Sequence, residues 1–535
     1  MSVKSVSKSS KPLVERAGWA VFWNVAFFPL KVLLPFAASI VTVRLLRTNG
    51  FAVLSFATAL LNFLGLFSDL GIERTLPRFY PEIEMRFGRG GVSRLLLWVT
   101  VVKGVVLLCL VGALAIAPGY WISAWHLGPS GGLILTFIGG LLVLGAASDV
   151  SIQFLYAHFR QKTTNALDVL SAVAYPGLTV LFVLAGMGAV GAILALLLTT
   201  ALSVVLSVWQ AWTLLRVMSH EPHARAAEVK LPSSHSLRRR LFFFSGLNYL
   251  VNWSVYLYDL PFIVTMLGLL VISSPERQVE VALITVAYKL TKHFLRALVV
   301  PLTGVQTPLF ARLYAEGRIE GLRTAYATLS KFLILALMPA GVGLIVTARN
   351  VFQIFYGEVG RDAVVTSATL SRVVACAVIL TFGLFGESMI SIALNVLIVY
   401  EDYRSAITAR LVALVSIPLL VLLVPPFGVV GAAIAVAVAG IGSRLLAVVY
   451  GHRHLQLYFP GVFFVRVGWA SILMGFCLLP FLLLPANIPA TAAMLALGAA
   501  VFLASFKLLG GLDEADKERF RTLRIPFADK ALRFL

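Results

Sequence analysis

The chain has 535 residues, 59% of them hydrophobic and only 13% charged, with a net charge of +20 and a mean hydropathy of +0.93. That composition excludes a soluble globular domain and, with no alternating strand pattern, an outer-membrane barrel. In a soluble chain such a charge would point to nucleic acid, but here Lys and Arg gather in loops between long apolar runs, so no nucleic-acid partner is expected.

The fold class is therefore all-α, a polytopic integral membrane protein with about fourteen spans of roughly 20 residues. Residues 1–16, rich in Ser and Lys, read as a cytoplasmic tail without a cleavable signal peptide. Spans 1–6 are expected near 17–46, 50–70, 95–117, 131–155, 166–186 and 189–214. Span 1 is over-long and holds Pro29 and Pro35, a pattern of broken helices that line transport pathways. The polar, basic stretch 215–240 reads as a cytoplasmic linker. Spans 7–12 follow near 241–268, 279–300, 331–348, 364–391, 404–424 and 428–450, then a pair near 464–486 and 488–508. The expected domains are an N-terminal lobe over 17–214, a C-terminal lobe over 241–450, a two-helix pair within 451–509 and a basic cytoplasmic tail over 510–535.

Loops after even-numbered spans carry most of the cations, among them Arg86, Arg89 and Arg94, the run Arg238 to Arg240, and Arg318 and Arg323. Odd loops hold few, such as Arg277 and Arg349. The positive-inside rule then places both termini in the cytoplasm. An internal repeat supports two six-span halves: span 6 opens with Gly188-Ala189-Val190-Gly191, and span 12 opens with Gly428-Val429-Val430-Gly431. Both are small-residue starts that allow close helix packing.

Chemistry concentrates in span 8. Lys289, Lys292, His293 and Arg296 recur at i, i+3, i+4 and i+7, so they share one helical face in an otherwise apolar run. A cation at mid-bilayer depth costs about 2.5–3.5 kcal/mol on insertion scales. This face is expected to meet an anionic substrate in a wet cavity; the alternative slides the helix down and leaves the cluster at the membrane edge. Lys31, between the prolines of span 1, and Arg44 at its end are the matching candidates from the first lobe. Asp259 and Glu387 are intramembrane carboxylates and candidates for ion coupling, with an internal salt bridge to Lys289 as the alternative. Asn24 and Asn252 are candidate sugar contacts. Cys109, Cys376 and Cys477 lack CxxC spacing, and His452 with His454 falls short of a zinc site, so no metal is expected.

Residues 40–82 carry a family signature: Ile40 to Leu46, Gly50-Phe51-Ala52, Phe67-Ser68-Asp69-Leu70-Gly71-Ile72-Glu73-Arg74 and Leu76-Pro77-Arg78-Phe79-Tyr80. It resembles the Wzx-like polysaccharide flippases of the multidrug/oligosaccharidyl-lipid/polysaccharide exporter superfamily. The resemblance implies two pseudo-symmetric six-helix lobes plus a C-terminal pair. It also implies a bacterial inner-membrane transporter that moves an undecaprenyl-pyrophosphate-linked oligosaccharide to the outer leaflet. Its implied partners are the lipid-linked oligosaccharide, membrane lipids and the polysaccharide polymerase or export machinery. No cofactor is implied beyond a coupling H+ or Na+, and no enzymatic activity. Two alternatives stand beside it. A drug antiporter of the same fold would favour an acidic cavity, against the basic face of span 8. A membrane-embedded polymerase or glycosyltransferase would carry a large outer loop, and every odd loop here is short.

Overall fold

The computed structural model describes residues 7–157, 160–219, 234–271, 273–315, 318–357, 364–400, 402–483, 486–514 and 517. All regular structure among them is helical: α1 Ser7–Asp69, α2 Ile72–Ile116, α3 Pro118–Ala124, α4 Gly131–Ala157, α5 Gln161–Leu184, α6 Gly188–Ser219, α7 Ser234–Tyr256, α8 Leu260–Leu270, α9 Ser274–Ala315, α10 Ile319–Tyr356, α11 Leu370–Met389, α12 Ile392–Val399, α13 Tyr403–Leu411, α14 Ser416–Leu455, α15 Gly461–Leu478 and α16 Ile488–Leu508. The central part of the expected linker and the end of the basic tail lie outside the described residues.

Ten of the described helical stretches are long and apolar enough to cross a membrane, and the bent pair α7–α8 makes eleven. The difference from fourteen has physical causes. The helix through Leu33–Asp69 holds two expected spans joined at Arg47, whose φ of 56° breaks the helical path. Likewise α14 turns at Gly428, with φ 55°, directly after Pro425 and Pro426. Helix α9 is 42 residues long, but Glu280, Lys289, Lys292 and Arg296 keep it out of the apolar set.

The chain divides into two compact units, Met1–Tyr256 with Leu260–Leu269, and Leu257–Asp259 with Leu270–Leu535. The expected second lobe begins at 241, yet α7 and α8 cluster with the first unit. Aromatic packing is the reason: Phe244 of α7 meets Phe79 of α2 with ring centroids 5.7 Å apart, and Trp253 meets Phe67 of α1 at 5.3 Å. The second unit has an extended apolar core running through α10, α11, α12, α15 and α16.

The glycine repeat has one geometry in both units. Gly188 and Gly428 both adopt left-handed φ, 52° and 55°. At Gly191 an added Cβ would lie 2.8 Å from Cβ of Phe182, and at Gly431 it would collide with the Leu423 carbonyl. Each hairpin therefore turns on the first glycine and packs on the second. In the second unit Glu280, with its side chain only 6% exposed, secures the turn. It accepts from the Val429 backbone N–H at 2.5 Å and pairs with Arg372. Farther along, Asp402 caps α13 through the Ser405 N–H at 3.3 Å and meets Nδ1 of His454 at 2.6 Å. Burial pushes the Asp402 carboxyl up, but the hydrogen bonds from His454 and Ser405 outweigh it and hold the group below its ordinary value.

Replacing Gly428 by Ala forces a side chain into left-handed backbone, at a cost of about 1–2 kcal/mol, and drives a Cβ to 2.8 Å from the Glu280 carboxylate. A thermal melt of the detergent-purified protein, followed by size-exclusion fluorescence, should show a lower midpoint for Gly428→Ala than for Gly186→Ala, whose φ is also positive but which has open space around it. Equal midpoints would show that the Glu280 contact adds nothing.

Candidate functional site

The site is built on α9 and the break in span 7. Helix α9 is enclosed on every side from Val281 to Tyr288, where exposures run from 0 to 3%. Beyond Tyr288 it opens along the cationic face, where Lys289, Lys292 and His293 are half-buried and Arg296 is exposed, and also at Phe294. The 3.6-residue period puts these four in one row, while Leu290 and Thr291 stay buried on the other side.

Span 7 unwinds at Leu257–Asp259, between α7 and α8, with a 53° bend. Unwinding frees backbone groups that lipid would leave unsatisfied. Ser416 at the start of α14 donates its hydroxyl to the Leu257 carbonyl at 2.8 Å. The Asp259 carboxylate accepts from Lys292 Nζ at 2.8 Å and from the Tyr288 hydroxyl at 2.5 Å. Lys292 and Asp259 side chains are each 31% exposed, so the pair is neither enclosed nor fully open. The salt bridge expected as an alternative for Asp259 thus forms one turn later than Lys289, on Lys292.

Glu387 of α11 lies against the backbone of α14 at Gly440, where any Cβ would strike its carboxylate. The charges acting on it are Arg444, Lys292, Arg410 and Asp259. Tyr258, beside Asp259, feels Arg444, Glu387 and Arg410. Arg410 is only 9% exposed, and Arg444 Nε is buried with no acceptor among the described residues. Sequence reasoning missed both arginines, although each lies inside an apolar span and the rule that picked out Lys289 applies to them equally. The second unit therefore brings Lys292, Arg410 and Arg444 to bear on two carboxylates, Asp259 and Glu387, with Lys289 and Arg296 flanking Lys292 in the α9 row.

The other expected site residues fall elsewhere. Arg44 is exposed on α1 in the first unit, one residue turn before the kink at Arg47. The side chains of Asn24 and Lys31 lie outside the described residues. Asn252 donates its amide to Asp69, near the end of α1, so it joins α7 to α1. Trp253 beside it is packed by Phe67, Tyr249 and Tyr256. The first unit also contains a pair that the sequence reading overlooked: Lys103, with a side chain 3% exposed, meets Asp149 at 3.1 Å between α2 and α4.

Residues 41–365 match the family described as polysaccharide biosynthesis protein. The chain belongs to that family. This polysaccharide biosynthesis protein has no match among curated proteins, but solved structures share its fold. The lipid II flippase MurJ, in an inward closed conformation, aligns with a TM-score of 0.71 at 15% identity, over 91% of this chain and 98% of that one. An inward-facing multidrug resistance MATE family transporter of the MOP superfamily gives 0.55 at 15%, over 82% and 98%. A Vibrio cholerae MATE transporter gives 0.51 at 16%, over 85% and 98%. At such identities the likeness is one of fold; together with the long apolar helices it makes the polysaccharide biosynthesis protein a multi-pass membrane protein.

A double-mutant cycle on Asp259→Asn and Lys292→Met, read by thermal unfolding in detergent, should give a coupling energy of about 0.5–3 kcal/mol. The double variant should be more stable than the sum of the single losses predicts, since it strands neither charge. Strict additivity would mean that the pair does not hold the break in span 7.

Proposed function

We propose that this protein flips an undecaprenyl-pyrophosphate-linked oligosaccharide from the cytoplasmic to the outer leaflet of the bacterial inner membrane, by alternating access, with both termini in the cytoplasm. The observation that carries the reading is the excess of cations in the second unit: Lys289, Lys292 and Arg296 in the α9 row, with Arg410 and Arg444 acting on Glu387, outnumber the two carboxylates Asp259 and Glu387. Such an excess is costly in a membrane and is offset when an anion binds. A pyrophosphate offers clustered oxygens for charge-assisted hydrogen bonds from Lys and Arg. Membership of a polysaccharide biosynthesis family and the MOP-type fold agree with this substrate class. The protein acts as a transporter and not as an enzyme, with the lipid-linked oligosaccharide passed on to a polymerase or export machinery.

Coupling to H+ or Na+ is assigned to Asp259 and Glu387. Asp259 sits at a helix break, where unwound segments of transporters bind coupling ions. In this reading the Asp259–Lys292 pair is the exchangeable element: neutralising or metallating Asp259 releases Lys292 towards the substrate.

Two measurements on purified protein in proteoliposomes test this. With a fluorescent undecaprenyl-pyrophosphoryl oligosaccharide, the Lys289→Gln/Lys292→Gln double variant should translocate at least about tenfold more slowly than the parent, a loss of about 1.4 kcal/mol, while still inserting and staying folded at the assay temperature. Unchanged translocation would remove the cationic face from the pathway, and efflux of a cationic dye with no movement of the oligosaccharide would replace the reading with drug antiport. Under an imposed H+ or Na+ gradient, Asp259→Asn should retain downhill movement but lose its response to the gradient. A response equal to the parent's would place coupling elsewhere.

A further inference from the structure

A second feature lies in the first unit, away from the cationic face of α9. A cavity of about 320 Å³ opens between α2 and α7, walled by Leu95, Trp98, Val99, Leu241, Phe242 and Tyr249. Its walls are almost wholly apolar. Ser245, which also borders it, donates its hydroxyl to the Leu70 carbonyl at 2.6 Å. Trp98 and Phe242 meet edge to face across it with centroids 5.6 Å apart, and both rings are largely exposed, at 41% and 59%.

That ring contact sets the height of two cations. Arg94 precedes Trp98 by four residues and Arg239 precedes Phe242 by three, so each arginine lies one turn below its ring on the same helical face. Both helices run upward from that end, and a turn rises about 5.4 Å. Arg94 and Arg239 therefore each fall one turn before a cavity-lining ring, on the two helices that wall the cavity, and both are exposed. Arg94 is the second residue of its apolar span and Arg239 lies two residues before the start of its own, Leu241. They are thus at headgroup depth, where Arg side chains face lipid phosphates.

We propose that this groove is a binding site for an anionic phospholipid of the bilayer, with one acyl chain between α2 and α7 and the phosphate held by Arg94 and Arg239. An apolar membrane surface takes any lipid, and two guanidinium groups one turn from the cavity walls are what make this one selective for negative headgroups. The small volume fits part of an acyl chain and not the many isoprene units of a polyprenyl carrier. The site is independent of which substrate the protein moves, so its test stands or falls apart from the flippase reading.

Trp98 reports occupancy directly. The full-length protein is placed in nanodiscs of phosphatidylcholine doped with an equal fraction of either phosphatidylglycerol or phosphatidylcholine brominated on the acyl chain. The Trp98 signal is the difference between the parent and Trp98→Phe. Brominated phosphatidylglycerol should quench it at least threefold more than brominated phosphatidylcholine. The preference should vanish in Arg94→Gln/Arg239→Gln, survive in Arg94→Lys/Arg239→Lys, and fall in the parent at about 1 M salt, where the screening length is about 3 Å. The salt and Lys arms keep the test valid if the Gln variant fails to fold. Equal quenching by the two lipids, or a preference that survives in the Gln variant, overturns the proposal. Stoichiometric displacement of phosphatidylglycerol by undecaprenyl phosphate also overturns it, by naming the carrier as occupant.

Discussion

A charge inside an apolar helix bundle must be met by an opposite charge or by water, and the Asp259–Lys292 pair meets that requirement where span 7 comes apart. Unwinding at Leu257–Asp259 would be untenable in lipid. Here the carbonyl at Leu257 is taken by Ser416 and the carboxylate by Lys292 and Tyr288. The same contacts draw α9 and α14 onto the break. Helix α9 supplies a rigid wall, since its residues before the cationic row are enclosed by neighbours on all sides. The row that follows is therefore held in place by packing below it and by ion pairing at its centre.

The two units solve one hairpin, before α6 and within α14, in one way. A left-handed glycine reverses direction and a second glycine, three residues on, admits the preceding helix. The second unit adds an electrostatic clamp, with Glu280 reaching from α9 to the backbone at Val429 and to Arg372. A carboxylate accepting a backbone N–H beside an arginine is stronger than either contact alone, because the local dielectric is low. The clamp links the outset of α9 to the kink in α14, and so connects the helix that bears the cationic face to a bend in its neighbour. The first unit has an ion pair of another kind, the buried Lys103 with the partly exposed Asp149, which joins α2 to α4.

Family membership and fold likeness carry different weight. The match over residues 41–365 identifies a polysaccharide biosynthesis protein. The likeness to MurJ at 15% identity describes how the helices are arranged. Substrate chemistry is left to the side chains, and those of the second unit are dominated by cations. Two of the five, Arg410 and Arg444, approach Glu387 and Tyr258 from α13 and α14, so the positive field is not confined to one helix.

The sequence by itself determined the helical membrane class, because bilayer thickness sets the length of an apolar run and the runs are plain to read. It also located the paired glycine turns and the cationic row of α9, since both are local patterns with a fixed helical period. Even the kinks at Arg47 and Gly428 fall where separate spans were expected to join. What only the tertiary structure decided are the partners. Asp259 finds Lys292 across 33 residues, Lys103 finds Asp149 across 46, Val429 finds Glu280 across 149, and Asn252 finds Asp69 across 183. Asn252, read as a sugar contact, is thereby a tie between α7 and α1, and α7 itself packs with the first unit. No local period encodes such pairings. Packing sets which turns of distant helices face one another, and a desolvated charge or amide then takes whatever opposite group that packing brings within reach.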